Sequence, residues 1–143
     1  MSLFEAIAAG DGDAVRDELE RDQESAGRRN ADGVSPVLYA LYNGRADLVG
    51  SILDANPALD VFDAAAVGRT RGLEELLDTE PGLASARSAD GSTPLHFAAR
   101  FDQRDAAELL LEHGADPEER DGNGRTPAEL AVGDTRDLLG ADG

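Results

Sequence analysis

The sequence of 143 residues contains no cysteine, no tryptophan and no lysine. Without cysteine the chain can form no disulfide, perform no thiolate chemistry and build no cysteine-based zinc site. Aromatic residues make up only 4% of the chain, so its core has to be assembled from Leu, Ala, Val and Ile. No apolar run approaches the roughly 18–20 residues that span a bilayer, and the first residues, MSLFEAIAAGDGD, lack the basic region of a signal peptide. We therefore expect a cytoplasmic protein with no membrane segment.

Positive charge is also scarce, because 13 arginines stand against 30 Asp and Glu and the formal net charge is −17. This excess repels phosphate backbones and anionic lipids, which argues against binding to nucleic acid or to a membrane surface. Two interpretations remain open. The acidity can suit a basic partner, or it can reflect a halophilic cytoplasm, in which hydrated carboxylates keep proteins soluble. We favour the second.

The chain is internally repetitive. Residues 4–36 and 62–94 align without a gap at an offset of 58, and a shorter unit recurs inside this long one. A small residue in the first helix of each unit marks five copies, with steps of 34, 24, 34 and 33 residues. The markers are Ala6, Ala40, Ala64, Ala98 and Ala131. Such a period indicates a repeat architecture, in which each unit buries its apolar face against its neighbours.

Each copy carries the signals of two short helices. A Ser or Thr N-cap precedes a proline at the first helical position, where a missing N–H costs nothing. These signals stand at Ser35-Pro36, Thr93-Pro94 and Thr126-Pro127, with capping-box patterns at Ser2–Glu5 and Asp60–Asp63. Second helices carry apolar residues three or four apart, as in Val15 and Leu19, which predicts one buried stripe per helix. Asp-Gly or Asn-Gly pairs between copies predict tight hairpin turns.

The fourth copy, DGSTPLHFAA followed by LLLEHGADP, resembles an ankyrin repeat, whose signature includes T-P-L-H-x-A. The resemblance implies an all-α repeat solenoid, an ankyrin-like stack of helix-turn-helix pairs with short β-hairpin fingers. We expect a single ankyrin-repeat domain over residues 1–143, with repeats at about 2–32, 33–59, 60–89, 90–120 and 121–140. The first and third copies lack the T-P pair and the fifth ends early, which is typical of capping repeats.

His96 is a candidate catalytic base, because a small enzyme could use its imidazole together with a nearby carboxylate. The resemblance implies a structural role instead, with the imidazole bonding around Thr93, one helical turn before it, and with Pro94 opening the helix. His113 precedes Gly114, which is expected to supply a left-handed helix cap. Neither histidine has a nucleophile in a recognisable catalytic pattern, so we expect no enzyme activity.

Two further patterns fail as ligand sites. The stretch DGNGRTPAELAV begins like a calcium loop, but Thr126 stands where that loop requires glycine. Gly122 and Gly124 are followed by no lysine and preceded by no strand, as a phosphate loop would require. We therefore expect no cofactor and no metal.

The resemblance implies that a partner meets the concave side, formed by the finger tips and the exposed face of the first helices. The predicted contact residues are Asp32, Val34, Tyr42, Asn43, Val67, Asp90, Ser92, Arg100, Phe101, Asn123 and Arg125. Tyr42 and Phe101 are candidate hot spots, since large aromatic side chains often dominate interfaces. The short 24-residue step predicts a gap in the row of fingers beside Tyr42 and Val67.

These observations favour a monomeric, non-enzymatic module that binds a protein, whose identity the sequence leaves open. The alternatives are the enzyme built on His96 and a structural element that associates with itself through incompletely capped ends.

Overall fold

A computed structural model describes residues 1–140 of the chain. The contacts divide the chain into two compact units, Met1–Leu59 and Asp60–Gly143, called here unit 1 and unit 2. Within residues 1–140 all regular structure is helical, as predicted for an all-α repeat fold.

In residues 1–140, ten short α-helices alternate between first and second helices of the copies. Their bounds are α1 Leu3–Ala9, α2 Gly12–Arg21, α3 Pro36–Tyr42, α4 Val49–Asp54, α5 Val61–Val67, α6 Thr70–Thr79, α7 Pro94–Arg100, α8 Arg104–Glu112, α9 Pro127–Leu130 and α10 Gly133–Leu139. The predicted N-caps are present at every first helix: Ser2 and Asp60 form capping boxes, and Ser35, Thr93 and Thr126 accept from the N–H three residues on. Gly114, with φ of +92°, follows α8 in the left-handed conformation.

Unit 1 contains two copies whose first helices, α1 and α3, pack against each other, while α2 packs on α1 and α4. Ala6 and Ala40 are both 0% exposed, and their small side chains allow the two first helices to approach closely. The ring of Phe4 meets the ring of Tyr39 edge to face, with centroids 5.1 Å apart. The larger apolar residues of this core are Leu3, Ile7, Val15, Leu19, Val37, Leu38, Leu48 and Ile52.

Unit 2 contains three copies in two layers. The first helices α5, α7 and α9 pack in sequence, and the second helices α6, α8 and α10 pack in the same order. The marker residues Ala64, Ala98 and Ala131 are 1%, 0% and 7% exposed, so the predicted close contact between first helices is present here as well. Large apolar residues of this core include Val61, Leu73, Leu77, Leu95, Phe97 and Leu110.

The loop between α7 and α8 connects all three copies of unit 2. The side-chain amide of Gln103 donates to the carbonyl oxygen of Ala66 at 3.1 Å. Asp102 lies in the left-handed region with φ of +54°, and its Oδ1 accepts from the backbone N–H and the hydroxyl of Thr135 at 3.0 and 2.9 Å. A non-glycine residue in that region costs about 1–2 kcal/mol. The two hydrogen bonds offset this cost and cap the start of α10, whose own N-cap residue Val132 makes no side-chain hydrogen bond.

Short 3₁₀ turns follow α2 and α6 at Gln23–Gly27 and Pro81–Ser85. Each turn buries an alanine, Ala26 or Ala84, and these alanines are equivalent at the offset of 58. After α4, by contrast, the chain passes through residues 55–60 directly into α5, so no finger is formed at the 24-residue step.

Candidate binding surface

Three fingers of five residues each have the same backbone geometry. They comprise residues 30–34, 88–92 and 121–125, called here the first, second and third finger. In each, the first and last residues pair through an N–H to carbonyl hydrogen bond of 2.8–3.0 Å, and the glycine N–H bonds back to the first carbonyl at 2.9–3.0 Å. The fingers are therefore closed hairpin turns, and none is long enough to form a strand ladder among the described residues.

A polar side chain inside each finger holds the turn. Asn30 accepts from the N–H groups of Asp32 and Val34 in the first finger, and Asp121 accepts from two equivalent N–H groups in the third. In the second finger Ser88 and Asp90 share this role, since both accept from the N–H of Ser92. These are side chain-to-backbone turns of the kind that Asn, Asp and Ser form readily.

An arginine precedes each of these fingers and donates a hydrogen bond to the backbone of its turn. Arg29, Arg87 and Arg120 each donate to the carbonyl oxygen of the glycine four residues on, at 3.0, 2.9 and 2.7 Å. Arg87 also donates to the carbonyl of Arg120 and forms an ion pair with Glu119. These arginines were not predicted from the sequence, although an arginine stands four residues before each turn glycine.

The Asp121 carboxylate makes the stability of the fold depend on pH. Hydrogen bonds from the backbone N–H groups of Arg125 and Asn123 outweigh burial and hold the pKa of Asp121 below its usual value. A carboxyl whose pKa is lower in the folded than in the unfolded chain stabilises the fold above the unfolded pKa of about 3.9 and loses this contribution as the pH falls through the folded value.

Replacing Asp121 with Asn is expected to make unfolding less sensitive to acid. The amide oxygen can accept the same two N–H groups, as Asn30 does in the first finger, but it does not titrate. Urea unfolding followed over a series from neutral pH to below pH about 4 should show a smaller fall in the free energy of unfolding than in wild type. Asp32→Asn, at the exposed tip of the first finger, is the control. Superimposable pH profiles of wild type and Asp121→Asn contradict this role.

The second and third fingers of unit 2 are in backbone contact. The N–H of Gly122 donates to the carbonyl oxygen of Asp90 at 3.1 Å. A Cβ placed on Gly91 would lie 2.8 Å from the nitrogen of Gly122, and one placed on Gly122 would overlap the carbonyl oxygen of Asp90. The two glycines therefore allow the fingers to stack.

His96 joins the fourth copy to the third finger. The backbone N–H of Thr93 donates to Nδ1 at 3.1 Å, and the Thr93 hydroxyl lies 2.8 Å from the same atom. An Nδ1 that accepts an N–H carries no proton, so Nε2 holds the ring proton and donates it to the carbonyl oxygen of Arg125 at 2.8 Å. With both nitrogens engaged and 1% of the residue exposed, the imidazole is not accessible to a substrate.

The contact residues predicted in unit 1 lie on the first finger and at the end of α3. Asp32 is exposed and Val34 partly exposed on the finger. Tyr42, the last residue of α3, is 45% exposed. Asn43 is exposed, and its side-chain amide donates to the carbonyl oxygen of Tyr39 at 2.8 Å.

The contact residues predicted in unit 2 lie on two fingers and at the ends of α5 and α7. Asp90, Asn123 and Arg125 are exposed on the fingers, while Val67, Arg100 and Phe101 are partly exposed at the helix ends.

Ser92 differs from its predicted neighbours, since it is only 3% exposed. It is the last residue of the second finger, against which the third finger packs, so its side chain is withdrawn from the surface.

Between residues 1 and 140 no helix combines the length and the apolar character needed to cross a bilayer. In the same range no group of three or more His, Asp or Glu side chains is arranged to hold a metal ion.

Comparison with known proteins agrees with the repeat geometry. A family model described as ankyrin repeats in three copies matches residues 3–121 and 61–139. The chain belongs to the ankyrin-repeat family. Over 115 residues, or 80% of the chain, it is 35% identical to neurogenic locus notch homolog protein 4 of Homo sapiens. Over 84 residues, or 55% of the chain, it is 36% identical to the transient receptor potential cation channel subfamily A member 1 homolog of Caenorhabditis elegans.

The matched ankyrin regions are small parts of these relatives, 5% of the first and 7% of the second. A shorter match of 40 residues is 60% identical to the ARF GTPase-activating protein Git of Drosophila melanogaster and covers 28% of the chain. Ankyrin repeats are generally modules for protein–protein interaction, and the family assignment supports this class of function for the chain.

Proposed function

We propose that the chain is a non-enzymatic, monomeric module of the cytoplasm that binds a partner protein through its finger tips and the C-terminal ends of its first helices. The observation that carries this proposal is the threefold repetition of one finger geometry with exposed residues at each tip. Each finger is stabilised by its own side chains, because residues such as Asn30 and Asp121 accept hydrogen bonds from backbone N–H groups of the turn. The tip residues Asp32, Asp90 and Asn123 are thereby presented to solvent.

Two aromatic residues add apolar area at the C-terminal ends of the first helices α3 and α7. Tyr42 is the last residue of α3 and is 45% exposed, and Phe101 directly follows α7. An aromatic side chain at an interface centre contributes more than most of its neighbours, with losses of about 2 kcal/mol or more on truncation. The acidic charge of the second helices supports an environment of high salt, where hydrated carboxylates keep the chain soluble.

Site-specific photo-crosslinking tests which surface the partner contacts. A benzophenone amino acid is placed at Asn123 on the third finger and, as a matched control, at Glu75 on the exposed side of α6. Extract prepared at the native salt concentration supplies the partner. We expect a discrete adduct from position 123 and none from position 75, and Tyr42→Ala or Phe101→Ala to weaken binding of that adduct protein about tenfold or more. Adducts from position 75 alone would overturn the assignment of the surface.

A further inference from the structure

Two asparagines of the chain are each followed by glycine, Asn43 by Gly44 and Asn123 by Gly124. In such a pair the backbone nitrogen of the glycine can attack the side-chain carbonyl carbon of the asparagine and close a five-membered imide ring. Glycine is the most permissive following residue, because it has no Cβ to obstruct this approach. Both pairs are exposed, so the hydrogen bonds of the two side chains, and not access of solvent, distinguish them.

The other two asparagines are unsuited to this reaction. Asn30 is followed by an alanine, and its side-chain oxygen accepts from the N–H groups of Asp32 and Val34 at 2.9 and 3.0 Å. These bonds hold the carboxamide inside the first finger. Asn56 is followed by Pro57, whose nitrogen carries no hydrogen and therefore cannot form a neutral imide.

The Asn43 side chain is held away from the glycine nitrogen. Its amide nitrogen, the group that would leave as ammonia, donates to the carbonyl oxygen of Tyr39 at 2.8 Å. This bond directs the carboxamide back along α3, whereas ring closure requires its carbon to approach the nitrogen of Gly44. The reaction at Asn43 therefore has to break a side-chain hydrogen bond first.

The Asn123 side chain carries no such restraint. Within residues 1–140 its carboxamide makes no hydrogen bond, and only the backbone N–H of Asn123 is engaged, by Asp121 at 2.9 Å. The space beside Gly124 is open, since a Cβ placed there would meet nothing within 4 Å. At the equivalent Gly91 the backbone of Gly122 fills that space. The tip of the third finger therefore has both an unrestrained carboxamide and room to close the ring.

The turn hydrogen bonds do not separate the two sites. The N–H of Gly124 donates to the carbonyl oxygen of Asp121 at 3.0 Å, and the N–H of Gly44 donates to that of Leu41 at 3.1 Å. Either bond has to be released before the nitrogen can attack, and such local opening costs less free energy than global unfolding. The difference between the sites is therefore the side-chain hydrogen bond of Asn43.

We propose that Asn123-Gly124 is a deamidation site, at which the tip of the third finger converts spontaneously to aspartate and isoaspartate. The Gly124 nitrogen forms a bond to Cγ of Asn123 while the bond from Cγ to the side-chain nitrogen breaks. That nitrogen takes up the proton of the Gly124 N–H and leaves as ammonia. Water then opens the imide, at Cγ to give aspartate or at the backbone carbonyl carbon to give isoaspartate. This inference is independent of the proposed function.

The two products have different consequences for the finger. Aspartate followed by glycine is already the tip of the other two fingers, as Asp32-Gly33 and Asp90-Gly91, so the aspartate product fits the same turn. Isoaspartate adds one atom to the main chain, since the chain then passes through Cβ. This displaces the N–H groups at positions 123 and 125, which Asp121 accepts. Either product adds a negative charge to the tip.

Peptide mapping of the aged full chain tests the proposal. The protein is incubated at neutral pH below its unfolding transition, and trypsin, which cleaves after arginine, releases the two sites in separate peptides, 30–45 and 121–125. Mass spectrometry detects the exchange of NH₂ for OH, and a zero-time sample corrects for conversion during digestion. Conversion at Asn123 is expected to be about five- to tenfold faster than at Asn43, the factor given by one net hydrogen bond. In concentrated urea the two rates are expected to converge.

Substitution identifies the reacting side chain. Asn123→Gln blocks the reaction, because its longer side chain would have to close a six-membered ring. Aged wild type is expected to accept methyl groups at the third finger from an isoaspartate methyltransferase, and aged Asn123→Gln is not. Asn43→Gln is the matched control and is expected to leave this methylation unchanged.

Three results would overturn the inference. The first is conversion at Asn43 as fast as at Asn123 in the folded chain. The second is the same ratio of the two rates with and without urea, which would mean that the fold does not select the site. The third is an unconverted Asn123 after a time in which the unfolded chain has converted.

Discussion

Replacing His96 with alanine is expected to lower the free energy of unfolding by about 3–4 kcal/mol. The imidazole is 1% exposed, so its removal leaves a cavity at the junction of α7 and the third finger. It also leaves the backbone N–H of Thr93 without a partner and removes one of the two donors to the carbonyl oxygen of Arg125, which keeps the N–H of Asp121. The loss of buried volume and the unpaired N–H each cost about 1–3 kcal/mol.

The internal repeat provides a matched second variant. Leu38 occupies the position equivalent to His96 in the second copy and is buried, and no finger follows that copy. Leucine therefore occupies this position in a copy that is followed by no finger carbonyl to which a histidine could donate. His96→Leu restores most of the volume but not the hydrogen bonds, so it is expected to cost about 1–2 kcal/mol.

Urea unfolding at neutral pH, followed by circular dichroism, measures both losses. His113→Ala is the control, because His113 is partly exposed after α8, and a change within about 0.5 kcal/mol is expected for it. If His96→Leu is as stable as wild type, the hydrogen bond to the third finger contributes nothing and the ring only fills space. A fully stable His96→Ala would contradict the structural role altogether.

The copy number and helix positions could be predicted from the sequence because their signals are local. An N-cap with proline at the next position, as in Thr93-Pro94, specifies where a helix begins without reference to its neighbours. The marker alanines were equally informative, since a residue such as Ala98 has to be small wherever first helices touch. All five markers are buried, at 7% exposure or less.

The contacts between copies could not be predicted, because they depend on which element lies next in space. Asp102 caps α10 across 33 residues, and nothing in its local sequence distinguishes it from a surface carboxylate. The finger arginines were overlooked for a related reason: in a chain rich in charge, a single Arg before a turn resembles an ordinary solvated residue. An alignment of the three turns would have shown that an arginine precedes each of them.

Burial at the fingers shows the same dependence on neighbours. Ser92 and Arg125 are equivalent last residues of two fingers, yet Ser92 is 3% exposed and Arg125 is exposed. The third finger packs on the second, whereas no further finger follows the third within the described residues. Alignment of the copies predicts that both positions belong to a finger, but only stacking decides which side chain a partner can reach.

Replacing Gly91 with alanine is expected to lower the free energy of unfolding by about 3 kcal/mol, through two separable effects. Its φ of +81° lies in the left-handed region, where a Cβ costs about 1–2 kcal/mol. The Cβ would also lie 2.8 Å from the nitrogen of Gly122, so the fingers would have to move apart and break the hydrogen bond from Gly122 to Asp90, at a further cost of about 1–2 kcal/mol.

Gly124 separates these effects because it has the same place in the third finger. Its φ is +78° and a Cβ there meets nothing within 4 Å, so Gly124→Ala carries the backbone cost alone and is expected to lose about 1–2 kcal/mol. Gly122→Ala approaches the same contact from the other side, with the added methyl directed at the carbonyl of Asp90. Urea unfolding of the three variants measures their losses in the free energy of unfolding. Equal losses for Gly91→Ala and Gly124→Ala would mean that the fingers separate freely, in which case they do not present Arg125 and Asp90 as one rigid surface.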